Sequence, residues 1–226
     1  MTFDILTIFP EAFVSYFGTS ILKRAVEQKR VVIRVHGLRR WGLGKHRKLD
    51  ERPYGGGAGM VLMAEPIFKA IGSIARTSRA KKQKLIILSA KGKPFDQRLA
   101  SQWAKQYDQL ILVSGRYEGI DERVRLALRA EEISLGPYVL TDGDVAAMAI
   151  VSAVARLLPG VIKLKSLEEE SHFNLLLKRE EKKGKGTEYP HYTRPEVLRY
   201  GGKIYRVPKV LLSGDHKEIE EWRRRR

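Results

Sequence analysis

Apolar and polar residues alternate from Thr2 to Ile8 and the run stops before Pro10. That pattern predicts a strand over residues 2–8, followed by a helix reaching about Gln28. Residues 31–36 (VVIRVH) read as a second strand. Residues 37–59 are basic and glycine-rich with neither helical nor strand periodicity, so a long functional loop is expected. The pattern then predicts a helix over 65–76 with Pro66 near its start, a strand over 84–89 and a helix over 95–106. A strand at 109–114, a helix from about Asp121 and a short strand at 131–135 follow. Residues 143–158 (GDVAAMAIVSAVARLL) are apolar nearly all round. A helix of that kind must be buried on most sides, in a core or against another subunit.

Strands alternating with helices imply an α/β chain with a largely parallel sheet. From Pro159 to about His191 the chain is charged and polar, ending in Lys182-Lys183-Gly184-Lys185-Gly186, and reads as a mobile linker. Two short helices are expected beyond it, near 193–200 and 215–226, with Asp215 and Glu218 as a capping pair for the second. No internal repeat is visible. The organisation expected is therefore an α/β domain over 1–160, a linker over 161–191 and a small helical domain over 192–226.

Charge narrows the partner. The chain of 226 residues carries 43 Lys and Arg against 26 Asp and Glu, a formal charge of +17. Basic clusters fall at 39–48, 76–84, 178–185 and 223–226. Such an excess points to a polyanion, RNA or DNA ahead of an acidic membrane, because neutralised phosphates release counterions. The absence of cysteine excludes disulfides, thiolate zinc sites and thiol nucleophiles, and suits a cytoplasmic protein. No apolar run is long enough to span a bilayer, and the opening residues lack a basic, cleavable leader.

Candidate chemistry concentrates where the strand at 110–114 runs into Gly115-Arg116-Tyr117-Glu118-Gly119-Ile120-Asp121-Glu122-Arg123. Loops at the carboxyl ends of strands bind ligands in open α/β sheets, and paired glycines let backbone amides approach closely. The plainer alternative is a capped strand-to-helix turn, with Asp121 and Glu122 favouring the helix N-terminus. Gly55-Gly56-Gly57-Ala58-Gly59-Met60 lacks the Lys-Ser/Thr end of a phosphate loop, the histidines lack metal-ligand spacing, and there is no nucleophile elbow. Kinase, zinc hydrolase and dehydrogenase readings fall away. Three strand-end loops (Leu88-Ser89-Ala90-Lys91-Gly92, Gly115 to Gly119, and Leu135-Gly136-Pro137-Tyr138-Val139-Leu140) converge on one crevice if their strands are parallel neighbours. Their backbone groups suit an adenosyl ligand.

Four motifs in this order and spacing carry a family resemblance: Asp50-Glu51-Arg52-Pro53-Tyr54-Gly55-Gly56-Gly57-Ala58-Gly59-Met60, the Gly115 to Arg123 segment, Gly136 to Leu140, and Tyr189-Pro190-His191-Tyr192-Thr193-Arg194-Pro195. Over about residues 1–215 the chain resembles the bacterial tRNA (guanine-N1)-methyltransferases of the TrmD family, in the SPOUT class. The resemblance implies a trefoil knot through roughly residues 85–160 and a homodimer with active sites at its interface. It implies S-adenosylmethionine as donor, tRNA rather than DNA or membrane as partner, and N1 of guanosine 37, beside the anticodon, as target. Magnesium dependence is implied as well, with no carboxylate cluster to locate the ion.

The same resemblance assigns site residues. Leu88, Ser89, Gly115, Tyr117, Glu118, Gly119, Leu135, Gly136, Pro137, Tyr138, Val139 and Leu140 would hold the donor, Pro137 replacing the family's usual Asp. Asp50, Arg52, Tyr54, Gly55, Gly57, His191 and Arg194 would meet tRNA. Arg156 would support developing charge. The family's base is an Asp before Ser-Phe; here Glu168-Glu169-Glu170-Ser171-His172-Phe173 puts Glu170 in that place, with Glu169 in reserve because His172 leaves the register open. The insert at 178–188 and the short tail after Asp215-His216 depart from the family and suggest reduced tRNA grip or altered selectivity. Two other readings stay open: a SPOUT enzyme modifying another RNA position, and an RNA-binding homologue weakened in catalysis.

Overall fold

The computed structural model of the chain describes residues 1–163 and 189–224. They fall in two compact units, Met1–Lys163 and Leu164–Arg226. The first is built on a five-stranded sheet of β1 (Thr2–Thr7), β2 (Val32–Gly37), β5 (Gln83–Pro94), β6 (Gln109–Ser114) and β7 (Glu131–Ser134), ordered β2-β1-β6-β5-β7. Every neighbouring pair is parallel. A parallel sheet is covered on both faces, which is why β6 reads as a continuous apolar run: all of its residues are buried.

Alternation along the strands sorts the core into two layers. Phe3, Ile5, Ile86, Leu110 and Leu112 point to one face, where α2 (Ser20–Glu27), α4 (Gln97–Gln106) and α6 (Asp144–Ala155) supply Leu22, Trp103, Ile150 and Val154. Leu6, Ile87, Ile111 and Val113 point to the other, against Ile67, Ile71 and Ile74 of α3 (Ala64–Thr77) and Val124 of α5 (Glu122–Leu128). Each fully buried side chain of this size stabilises the fold by roughly 1.5–3 kcal/mol. The central strand thereby anchors the loops at its end.

Several elements differ from the sequence pattern. The helix expected after β1 is broken into a 3-10 turn (Pro10–Phe13), α1 (Val14–Phe17) and α2. Thr19 between them is extended, at φ −127° and ψ 156°. The loop after β2 is partly ordered by a 3-10 turn (Leu38–Trp41) and by β3 (Asp50–Glu51), antiparallel to β4 (Val61–Leu62). β5 runs beyond the expected end: its register on β7 breaks after Leu88 and resumes at Lys93, so residues 89–92 bulge out between two paired stretches.

The second unit corrects the expectation of a small helical domain: it combines a β-hairpin with helices. Residues 197–206 form a hairpin of β8 (Val197–Tyr200) and β9 (Lys203–Arg206) in place of the helix expected near 193–200. Gly201 and Gly202, at φ 58° and 73°, provide the two left-handed residues a tight hairpin turn needs, and this turn outweighs helical propensity. Two helices follow, α7 (Lys209–Leu212) and α8 (His216–Arg224). Asp215 caps α8 as expected, its Oδ1 accepting from the amides of Lys217 (2.9 Å) and Glu218 (3.2 Å). The capping box is replaced by a chain, since the Asp215 amide donates to Ser213 Oγ at 3.1 Å.

Candidate active site

β6, β5 and β7 are adjacent and parallel, so their carboxyl ends lie side by side. The loops that leave them enclose a cavity of about 330 Å³. Of the residues expected around a ligand, Leu88, Ser89, Gly115, Tyr117, Glu118, Gly119, Leu135, Tyr138, Val139 and Leu140 line it. Gly136 and Pro137 do not. They shape the loop instead: the Tyr138 amide donates to Gly136 O (2.9 Å) across Pro137, and the Tyr138 ring lies so close that a Cβ on Gly136 would sit 2.6 Å from it. Pro137, without an amide hydrogen, fits the centre of that three-residue turn.

Backbone proximity explains the glycines. A Cβ on Gly115 would lie 3.1 Å from Leu88 O, and one on Gly143 would lie 2.9 Å from Gly115 N and Ser114 Cα. The start of α6 thus packs directly on the end of β6, fixed by a Gly143 N–H to Gly115 O bond of 2.9 Å. Tyr117 adopts φ 56°, a conformation unusual for an aromatic residue, and its ring stays half-exposed on the cavity wall. Left-handed non-glycine residues of this kind are held by surrounding structure and cluster at functional sites.

The glycine-rich loop joins this site. The Glu118 amide donates to Met60 O (3.1 Å), the Leu62 amide to Gly119 O (3.0 Å) and the Asp121 amide to Leu62 O (3.0 Å). Gly59, at φ 81°, lies against the Glu118 carboxylate, where a Cβ would come within 2.4 Å of Oε1. Two motifs distant in sequence therefore meet around Glu118. Asp50 is half-buried in β3, while Arg52, Tyr54, Gly55 and Gly57 are exposed on the same loop, Tyr54 almost completely.

The cations that line the cavity are paired. Arg116 meets Asp142 at 2.9 Å and lies over the Phe9 ring, 4.4 Å from its centroid. Asp142 also accepts the Asp144 amide (2.9 Å), and buried Asp144 accepts from the Thr7 hydroxyl (2.7 Å). On the rim, Lys91 bridges Glu122 (3.6 Å) and Glu132 (3.4 Å), and Arg125 meets Glu122 at 2.5 Å. Hydrogen bonds from Arg123 hold the Asp121 carboxyl below the usual range, and Arg125 does the same for Glu122. Sequence reasoning missed Thr141, Asp142 and Gly143 as wall residues. The available signal was Asp142-Gly143-Asp144 directly before an apolar helix, a helix-start signature.

Arg156 caps the carboxyl end of α6, half-buried. Glu170 and the reserve Glu169 lie outside the described residues. In the second unit, the His191 and Tyr189 rings meet at a tilt (4.7 Å between centroids), Tyr192 leans on Trp222 (6.3 Å) and Arg194 is exposed. Among the described residues no group of three or more His, Asp or Glu side chains is arranged to hold a metal ion, and no helix is long and apolar enough to cross a membrane. The hairpin, overlooked in the sequence, presents Tyr200 and Tyr205 beside Arg199, Lys203 and Arg206, all exposed.

An all-parallel sheet whose strand-end loops wall a glycine-hinged cavity of mixed polar and apolar lining defines an α/β protein of ligand-binding type. A family model described as tRNA (Guanine-1)-methyltransferase TrmD matches residues 1–226. The chain is 47% identical over 224 residues to a tRNA (guanine-N(1)-)-methyltransferase of Thermomicrobium roseum, covering 99% of this chain and 78% of that protein. A Chloroflexus aggregans protein of the same name is 48% identical, with 99% and 82% covered, and one from Moorella thermoacetica 45%, with 99% and 84% covered. The chain belongs to the TrmD family of tRNA (guanine-1)-methyltransferases.

Proposed function

We propose that this chain transfers a methyl group from S-adenosylmethionine to N1 of guanosine 37 in tRNA. One observation carries the placement of the reaction: the three loops expected to hold the donor wall a single cavity, and the glycine-rich loop reaches the same place through Glu118. The cavity's size lies in the range of small-molecule sites. Backbone groups of Leu88, Gly115, Leu135 and residues 138–140 are suited to an adenine, with Leu135, Val139 and Leu140 giving it apolar cover. The donor, when bound, supplies an electrophilic methyl on a sulfonium.

The rest of the chemistry belongs to the protein. Guanine N1 carries a proton and is a weak nucleophile, so a carboxylate must take that proton as the bond forms. Glu170 takes this role, its ordinary pKa near 4.3 being open to elevation by burial. Arg156 offsets the negative charge that develops on guanine O6. Glu118, set between the donor loop and Gly59, orients the base against the cavity. Extruding guanine costs a few kcal/mol, less in an anticodon loop already single-stranded. Asp50, Arg52, Tyr54, Gly55, Gly57, His191 and Arg194 form the tRNA surface in this reading, with the basic, aromatic hairpin beside the latter two in sequence.

A homodimer fits the outward side of α6. Val145, Met148, Ala149, Ser152 and Ala153 recur at helical spacing and remain exposed or half-buried, a small, apolar strip that a second copy would cover. The close contact of Gly143 with Ser114 and Gly115 is consistent with the family's knot. A cytoplasmic location fits the RNA substrate of this reading. The described residues present no carboxylate cluster suited to magnesium, so no step is assigned to a metal.

Nucleoside mass spectrometry of tRNA incubated with protein and donor tests the proposal. N1-methylguanosine at position 37 is expected. Another modified position would move the chain to a different RNA target, and no modification would leave an RNA-binding homologue without catalysis.

A further inference from the structure

Parallel strands that open their carboxyl ends into the cavity place their amino ends on the opposite edge, roughly 20 Å away along the six residues of β6. That edge is a continuous hydrogen-bonded line. The Met1 amine donates to Arg30 O (3.4 Å), the Val32 amide to Met1 O (3.0 Å), the Thr2 amide to Asp108 O (2.8 Å) and the Asp108 amide to Lys82 O (2.9 Å). Exposed cations stud it: Lys29 and Arg30 before β2, Arg79, Lys81 and Lys82 before β5, and Lys105 in the last turn of α4. None of these is ion-paired among the described residues.

Asp108, in the middle of the line, spends its carboxylate on the fold, Oδ2 accepting from the amides of Lys81 (3.2 Å) and Lys82 (3.1 Å). Lys84, from the same basic cluster, makes the contrast. It is half-buried, meets Glu131 at 2.5 Å and lies over the rings of Trp103 and Tyr107. The cluster at 76–84 is thus divided between one lysine that packs and neighbours that face outward. Solubility calls for charges of both signs interspersed, whereas a line of six exposed cations around one backbone-bonded carboxylate keeps a strong positive excess that attracts a polyanion.

We propose that this amino edge is a contact surface for the phosphate backbone of RNA, separate from the cavity where the base reacts. The proposal rests on the reading that tRNA is the substrate. With strands about 4.8 Å apart, the edge from β2 to β5 runs roughly 15 Å, the rise of about four nucleotides along one strand. Its side chains are held by rigid strand ends, so it can grip a backbone without reading sequence.

The test removes two charges while keeping the backbone amides that Asp108 holds. Lys81→Ala/Lys82→Ala is compared with Lys23→Ala/Lys69→Ala, which removes two lysines paired on helix surfaces. Binding of labelled tRNA is measured across a salt series, with S-adenosylhomocysteine affinity as the check on folding. The edge variant should lower the slope of log affinity against log salt by about 1.4–1.8 and raise KM for tRNA, leaving saturating turnover unchanged. The control should barely alter the slope. An unchanged slope in the edge variant, or an equal fall in the control, overturns the proposal. So does loss of binding to phosphatidylglycerol vesicles with tRNA binding intact, which would make the edge a membrane surface. Wild-type protein that binds tRNA with the steep slope yet methylates nothing refutes the proposed reaction and leaves the edge standing. Normal methylation with a wild-type slope in the edge variant does the reverse.

Discussion

The two edges of the central sheet carry similar charged residues and use them in opposite ways. Around the cavity at the carboxyl edge, Lys91, Arg116, Arg123 and Arg125 each face a carboxylate. At the amino edge, Arg79, Lys81 and Lys82 face solvent and the nearby Asp108 is engaged with backbone. Paired charges position loops and contribute little net field. Unpaired ones leave the field available to a distant polyanion. A formal charge of +17 therefore describes neither edge, and the distribution matters more than the sum.

The largest expected effect concerns proton removal, which no paired charge at the cavity accomplishes. Glu170→Gln keeps shape and hydrogen bonding but cannot accept a proton, so single-turnover methyl transfer should fall by roughly 10²–10⁴-fold. Glu169→Gln should cost far less, and Arg156→Ala should also cripple turnover. A parental rate in Glu170→Gln with failure of Glu169→Gln would shift the base by one residue.

Next comes the packing that supports the carboxyl edge. Gly143→Ala forces a Cβ to within 2.9 Å of backbone atoms of Ser114 and Gly115, neither of which is a flexible side chain. Overpacking of this kind should destabilise by about 1–3 kcal/mol, read from the urea midpoint, and weaken donor binding with it. A wild-type midpoint would mean that α6 docks less tightly than described. Asp142→Asn is milder: it weakens the partly exposed pair with Arg116, worth about 1 kcal/mol or less, and should raise KM for the donor a few-fold.

Smallest is the response to pH. Asp121 and Glu122 titrate below their ordinary values because Arg123 and Arg125 hydrogen-bond them. A depressed carboxyl pKa means the stabilisation is fully present above the unfolded value near 4 and is lost as pH falls through the lower folded value. Affinity for S-adenosylhomocysteine should stay flat, as far as these groups matter, from pH 8 down to 5. A decline centred near pH 6 would assign the rim's control to another group.

Much of the sheet was legible because its strands are short apolar runs bounded by turn residues, and β6 matches its expected limits. The convergence of residues 88–92, 115–119 and 135–140 was also legible, given parallel strands. Three features were not. The bulge in β5 depends on pairing with β7, a long-range contact that leaves no local period. The contact of Gly59 with Glu118 joins segments nearly sixty residues apart. The hairpin at Gly201-Gly202 was signalled by its turn, but the flanking Leu198, Tyr200, Ile204 and Tyr205 suit helix and strand alike over so short a span.

Calorimetric titration with S-adenosylhomocysteine tests the division between the edges most directly. Leu140→Arg fills the cavity from its partly exposed rim, whereas Lys81→Ala/Lys82→Ala alters only the far side of the sheet. The rim variant should bind at least about tenfold more weakly than wild type while keeping its circular dichroism, since a bulky cation in a small-molecule pocket displaces ligand contacts. The far-side variant should bind like wild type. Equal affinity in the rim variant, or loss of affinity in the far-side one, would contradict the placement of the donor at the carboxyl edge.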